Sequence, residues 1–196
     1  MSTFELYFEL GREHILDYAN GYDHILFVLA LCAIYLVQDW KRLLILVTAF
    51  TVGHSVTLAL ATMDIISVNA AWVEFLIPLT IFTTAVSNML RKEDGLSTHK
   101  IQVNYLLALF FGLIHGMGFS NYLKSLLGRQ ENVTMPLFAF NLGLEVGQII
   151  IVGPFLAVSF IAVNMAGANR RDFKLIISSA VAGIALMLIK ERIPEL

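Results

Sequence analysis

RLLILVTAFTVGHSVTLALATM, residues 42–63, is a run of 22 residues with one basic residue at its start and a single histidine, His54, past its middle. A stretch of this length and polarity crosses roughly 30 Å of hydrocarbon as one helix of about 20 residues. It is typical of the chain, whose 196 residues are 58% hydrophobic and only 14% charged, with a mean hydropathy of +0.76. A soluble fold of this length could not hide so much apolar surface in one core, so lipid is the solvent for most of it. A net charge of -2 offers no basic surface to track phosphates, which argues against nucleic acid as a partner. The single Cys32, inside an apolar run, forms no internal disulfide.

Outward from residues 42–63, five further stretches read as spans: Tyr22 to Trp40, Val68 to Leu90, Ile101 to Phe119, Met135 to Met165 and Phe173 to Ile189. Polar punctuation separates them, and no linker is long enough to divide domains. The expected fold is therefore all-α: a polytopic bundle of about six transmembrane helices, forming one integral membrane domain over residues 1–196 in a lipid bilayer. A homo-oligomer is left open.

The N-terminal stretch MSTFELYFELGREH has no basic region before its apolar residues and does not read as a cleavable signal peptide. Glu5, Glu9, Glu13 and Asp17 recur at a spacing of four and form one helical stripe, with Phe4, Tyr7, Gly11 and His14 on the other side. This predicts an amphipathic helix lying in the interface. If the spans alternate, the connections after the first, third and fifth hold 8 of the 13 Lys and Arg residues, which puts both termini outside.

Ionisable side chains inside spans cost some 2.5 to 3.5 kcal/mol each on insertion scales and demand a reason. Several occur, among them Asp23, His24, His54, Glu74, His115 and Glu145. Converting sequence position to height at about 1.5 Å per residue puts all six in the same half of the membrane, the outer half in this orientation. Each alone could be hydrogen-bonded glue between helices. Together, three imidazoles and three carboxylates form a ligand set for a first-row divalent metal: nickel, cobalt, zinc, copper(II) or iron. Three carboxylates at one height repel unless protonated or bridged by a cation. Asn141, Glu145 and Gln148 share a helix face and could orient the ligands, as could Thr51 and Ser55 beside His54. Gly112 and Gly116 predict close helix packing that brings His115 to its partners. His99 reads as a solvated loop histidine.

At these residues the chain resembles the HupE/UreJ family of small bacterial membrane proteins. The resemblance rests on GYDHILFVLAL at 21–31, TAFTVGHSVTL at 48–58, VEFLIPLTI at 73–81, FGLIHGMGFS at 111–120 and FNLGLEVGQ at 140–148. It implies association with nickel or cobalt uptake and metal-site roles for His14, Asp23, His24 and His115; with the Lys and Arg count, the expected location is the bacterial inner membrane with both termini on the periplasmic side. The separation of His14 from Asp23 is longer than in the nickel permeases, and GMGFS lacks their Glu after the HG pair. Both features point to the second, broader branch of the family.

The leading expectation is a permease or facilitator for a divalent transition metal ion of the nickel, cobalt or zinc type, and the chemistry leans away from an enzyme. One feature opposes it: a conducting path needs several sites or moderate binding, yet the inner half offers only neutral groups such as Asn88 and Asn104. The alternatives are a membrane-embedded metal-dependent hydrolase with Glu74 or Glu145 as general base, or a metal-stabilised structural membrane subunit.

Overall fold

The computed structural model describes residues 1–19, 21–91, 98–127 and 133–194, with side chains at 98–101 excepted. Among these residues there are eight α-helices and no strand: α1 (Thr3–Leu16), α2 (Asp23–Cys32), α3 (Trp40–Thr62), α4 (Ala70–Leu90), α5 (Thr98–Gly118), α6 (Ser120–Leu127), α7 (Thr134–Ser159) and α8 (Arg170–Glu191). A 3-10 turn at Val37–Asp39 leads into α3, and a π-helical turn at Phe160–Met165 extends α7.

Four helical stretches are long and apolar enough to cross a membrane: Val37–Thr62, Ala70–Leu90, Thr134–Met165 and Arg170–Glu191. A fifth is obtained if α5 and α6, bent by 49° at their junction, are counted as one. Their outward faces carry Leu106, Phe110, Ile149, Ile150, Leu186 and Met187, all exposed, as helices solvated by lipid require.

The expected first span, Tyr22 to Trp40, is not a single helix. It yields only the ten residues of α2 before the chain turns. Asp39 Oδ2 accepts from the Leu36 amide at 3.5 Å and starts the next helix, while the Arg170 guanidinium donates to the Ile34 carbonyl at 3.0 Å. The apolar length that mimicked a span has a different cause. From Leu26 to Tyr35 every residue but Leu29 is buried, so α2 is apolar all round because protein surrounds it.

The N-terminal helix also departs from expectation. It is amphipathic, and Ser2 and Glu5 form a capping box at its start. Rather than standing apart on a surface, it packs lengthwise on α7. A Cβ at Gly11 would overlap the Phe140 carbonyl, one at Gly143 the turn from Phe8 to Arg12, and one at Gly147 would press on Ile15. These pairings advance together along both helices, so α1 runs parallel to α7 with the two backbones in contact. The next helix, α2, runs antiparallel to α8, since Asp23 meets Arg192 and Ile34 meets Arg170. Thus α1 and α2 follow one another in the same direction, α1 ending at Leu16 and α2 beginning at Asp23.

The second glycine-mediated contact joins α3 to α5. Gly112 and Gly116 lie against the Phe50 and His54 carbonyls, and Gly53 against that of Leu109. This matches the close packing expected of the Gly112–Gly116 pair and sets the backbone of α5 beside His54.

Candidate metal centre

Four helices bring one histidine each to a common point. His54 lies in mid-α3 and is fully buried, with neither ring nitrogen hydrogen-bonded. His14 comes from the last turn of α1, where the negative end of the helix dipole favours a cation. Across the break in the chain, His24 sits in the first turn of α2, its ring centroid 4.4 Å from that of His14. His115, near the end of α5, is 5.4 Å from His24.

The imidazoles of His14, His24 and His54 each offer one nitrogen, and these nitrogens lie within 4.8 Å of one another. Tetrahedral ligands at bonds of about 2.0–2.1 Å stand about 3.3 Å apart, so modest ring rotation closes the set on an ion. His115 Nδ1 lies 2.9 Å from the Phe111 carbonyl. A carbonyl only accepts, so Nδ1 carries the proton and Nε2 keeps its lone pair. His115 Nε2 is buried without a hydrogen-bond partner, as are His14 Nε2, His24 Nε2 and both nitrogens of His54. Each buried polar atom left unpaired costs about 1–3 kcal/mol. A cation shared among them removes that cost, whereas an apolar ligand would not.

The carboxylates are arranged differently. Asp23 Oδ1 accepts from the His24 amide at 2.9 Å and lies 3.2 Å from His24 Nδ1, while Oδ2 accepts from Arg192 at 3.0 Å. Its charge is therefore balanced by a guanidinium, and repulsion among carboxylates does not arise there. Glu74 is exposed on α4, outside the histidine trio, in the wall of a cavity of about 360 Å³ that also reaches Asp17, Asp23, His24 and His115. His14 and Asp17 also line a second cavity of about 560 Å³, with Glu13, Phe119 and Tyr122. Of the acidic stripe, Glu13 and Asp17 thus stand beside the histidines, while Glu5 caps the helix and Glu9 pairs with Arg12.

Glu145 is not gathered with them. It accepts from the Thr48 hydroxyl at 2.6 Å, one turn from the bond between Thr51 Oγ1 and Gln148 Oε1 at 2.8 Å. The polar face of α7 thus makes two rungs that tie α7 to α3, and Phe140 is the α7 residue whose ring lies beside His14 and His54. Asn141 shares that face, half-buried, with Oδ1 lacking a partner among the described residues. The Ser55 hydroxyl donates to the Thr51 carbonyl at 2.6 Å and serves the helix itself. His99 falls in the first turn of α5, and its side chain lies outside the described residues.

Sequence reasoning passed over Arg192, which counted only as a charge near the end of the chain. The available signal was a basic residue just past the last span, on the same side as an intramembrane Asp that needed a partner.

A profile of the HupE/UreJ protein family matches residues 1–192, essentially the whole chain. The chain belongs to the HupE/UreJ family. In this HupE/UreJ protein the segments that carry the resemblance also carry His24, His54, Glu74, His115 and Glu145. The family consists of membrane proteins associated with nickel and cobalt transport. No curated protein and no solved structure matches the chain.

Proposed function

We propose that this HupE/UreJ protein is a permease or facilitator for a divalent transition metal ion of the nickel or cobalt type, with zinc as a further substrate, in the bacterial inner membrane with both termini periplasmic. The observation that carries the reading is the set of unpartnered, buried imidazole nitrogens of His14, His24 and His54, joined by His115 Nε2. Neutral imidazole suits nickel, cobalt and zinc, and the absence of a thiolate at the centre disfavours copper(I).

The acids of α1 and the cavities behind them raise the local concentration of cations at the approach. Asp23, held by Arg192, lies 3.2 Å from His24 Nδ1, where the outer carboxylate partner of a metal-bound imidazole stands. Imidazoles bind metal only when deprotonated, so protonation of the centre releases the ion. The interruption between α1 and α2 resembles the discontinuous helices that present helix ends to ions in transporters. Non-helical backbone is tolerated at membrane depth where it lines such a cavity.

Purified protein in proteoliposomes containing a cobalt-quenched dye is expected to show saturable Co2+ uptake well above empty liposomes. Retention of Co2+ by the protein with flux equal to empty liposomes would reject transport in favour of a static metal site.

A further inference from the structure

Toward the Arg91 end of the bundle, α4 and α5 leave a gap between them. Its inner part is a cavity of about 110 Å³ with buried Leu31, Ile34 and Leu46 at its back and Leu107 and Phe111 in its walls. Outside it lies a wider groove of about 560 Å³, bordered by Val86, Leu90 and Val103. Thr83, Ser87, Asn104 and Leu107 line both, so the two form one continuous space. Its lining residues rise from 83 to 91 on α4 as they fall from 111 to 103 on α5, so the space runs along two antiparallel helices. At about 1.5 Å per residue it is roughly 12 Å long. One end is the residue that follows the span Ala70–Leu90; the other lies deep among apolar side chains.

The chemistry of the lining changes along that length. Arg91 stands at the mouth, and buried Lys174 donates to the Arg91 carbonyl at 2.7 Å, which puts a second cationic side chain behind it. About one turn deeper, Ser87 is exposed, and the Asn88 amide spends one of its two hydrogens on the Ala30 carbonyl at 2.7 Å. Deeper still, Thr83 and Thr84 donate to the Leu79 and Thr80 carbonyls at 2.7 and 2.8 Å, and the rest is carbon. Among the described residues that line the space there is no carboxylate and no imidazole. Cation, then donors, then hydrocarbon is the order in which an anionic phospholipid presents its phosphate, its ester oxygens and its chain. The phosphate and ester oxygens only accept hydrogen bonds, which matches a lining that offers donors at those depths. Apolar cavities of about 150 Å³ stay dry and take up hydrocarbon guests, so the inner cavity is of the right order for the end of a chain. Leu90, Leu106 and Leu107 on the outer border are exposed to lipid, which gives the chain a lateral way in.

We propose that this gap binds one anionic phospholipid, its phosphate at Arg91, its ester oxygens at Ser87 and Asn88, and one acyl chain laid between α4 and α5 into the cavity. Basic pockets between membrane helices are sites where anionic headgroups bind. The assignment is independent of the histidine centre and of transport.

The test is native mass spectrometry of the full chain released from detergent micelles that contain phosphatidylglycerol or phosphatidylcholine with identical chains. Wild-type protein is expected to retain one phosphatidylglycerol per chain about fivefold over phosphatidylcholine, the factor that one basic residue supplies at an anionic surface. Equal retention of the two lipids would overturn the proposal, and this comparison needs no variant to fold. Arg91→Gln is expected to abolish the preference while leaving phosphatidylcholine retention unchanged; a preference that survives it would remove Arg91 from the site and contradict the proposal. Glycerol 3-phosphate, a headgroup without chains, is expected not to bind, and its binding would make the gap a site for soluble phosphate instead. A second measurement places the chain. With Trp40→Phe and Trp72→Phe as background, the fluorescence of Leu107→Trp in vesicles is expected to be quenched more by phosphatidylglycerol brominated on its chains than by phosphatidylcholine so brominated at equal mole fraction. Equal quenching would mean ordinary lipid solvation of the groove and would overturn the site.

Discussion

His54→Ala is expected to weaken Co2+ binding by at least about 100-fold, or about 2.7 kcal/mol, with the fold intact. Outer-shell partners of a metal ligand are already worth about 10–100-fold in affinity, so removing a ligand costs no less. His54 is the sharpest choice because both its ring nitrogens are buried without hydrogen-bond partners, so its replacement breaks no bond of the apo protein. Packing losses come from one ring and are read separately by thermal unfolding. Calorimetric titration of the purified variant against wild type measures the effect. Wild-type affinity in the variant would remove His54 from the centre.

Arg192→Met is expected to destabilise the protein by about 2–3 kcal/mol. Breaking a fully buried pair costs about 3–5 kcal/mol because the remaining charge is left in a low dielectric. Here the Asp23 side chain is only 8% exposed, whereas that of Arg192 is 24% exposed, which places the expectation below that range. The sign can be checked by a double variant. With Asp23→Asn added, no charge is stranded, and most of the lost stability should return. Denaturant unfolding in detergent reads both. A loss below about 0.5 kcal/mol for Arg192→Met, the range of ordinary surface substitutions, would show that the contact carries no net stability.

Counting residues along each span placed His24, His54 and His115 at one level, and their rings do meet. The same count failed to separate Glu145 from them. Height says nothing about which way a helix faces, and α7 turns Phe140 to the histidines while Glu145 bonds to Thr48, two turns before His54 on α3. His14 is another matter: its partners lie on other helices, and its place on the apolar side of the first helix set it apart from the acids before the family resemblance pointed to a metal role.

The fold shows the same limits. Membrane helices with a lipid-facing side were legible from length and hydropathy, because lipid exposure demands both. The ten residues of α2 were not, because burial in protein produces the same apolar run without the length. The docking of α1 depends on Gly11 meeting the Phe140 backbone of α7, and on Gly143 and Gly147 meeting α1 in return, across more than 120 positions of sequence. A glycine that permits contact with a remote helix looks, in sequence, like any small residue on an apolar face. Arg192 and Asp23 are separated by 169 positions, and their pairing likewise exists only in three dimensions.

X-ray absorption on the Co2+-loaded wild-type protein tests the central claim most directly. A histidine centre predicts one cobalt per chain with at least three imidazole nitrogens at about 2.0–2.1 Å and the multiple-scattering signature of the rings. A first shell of oxygens alone, or no cobalt retained through desalting, would contradict it.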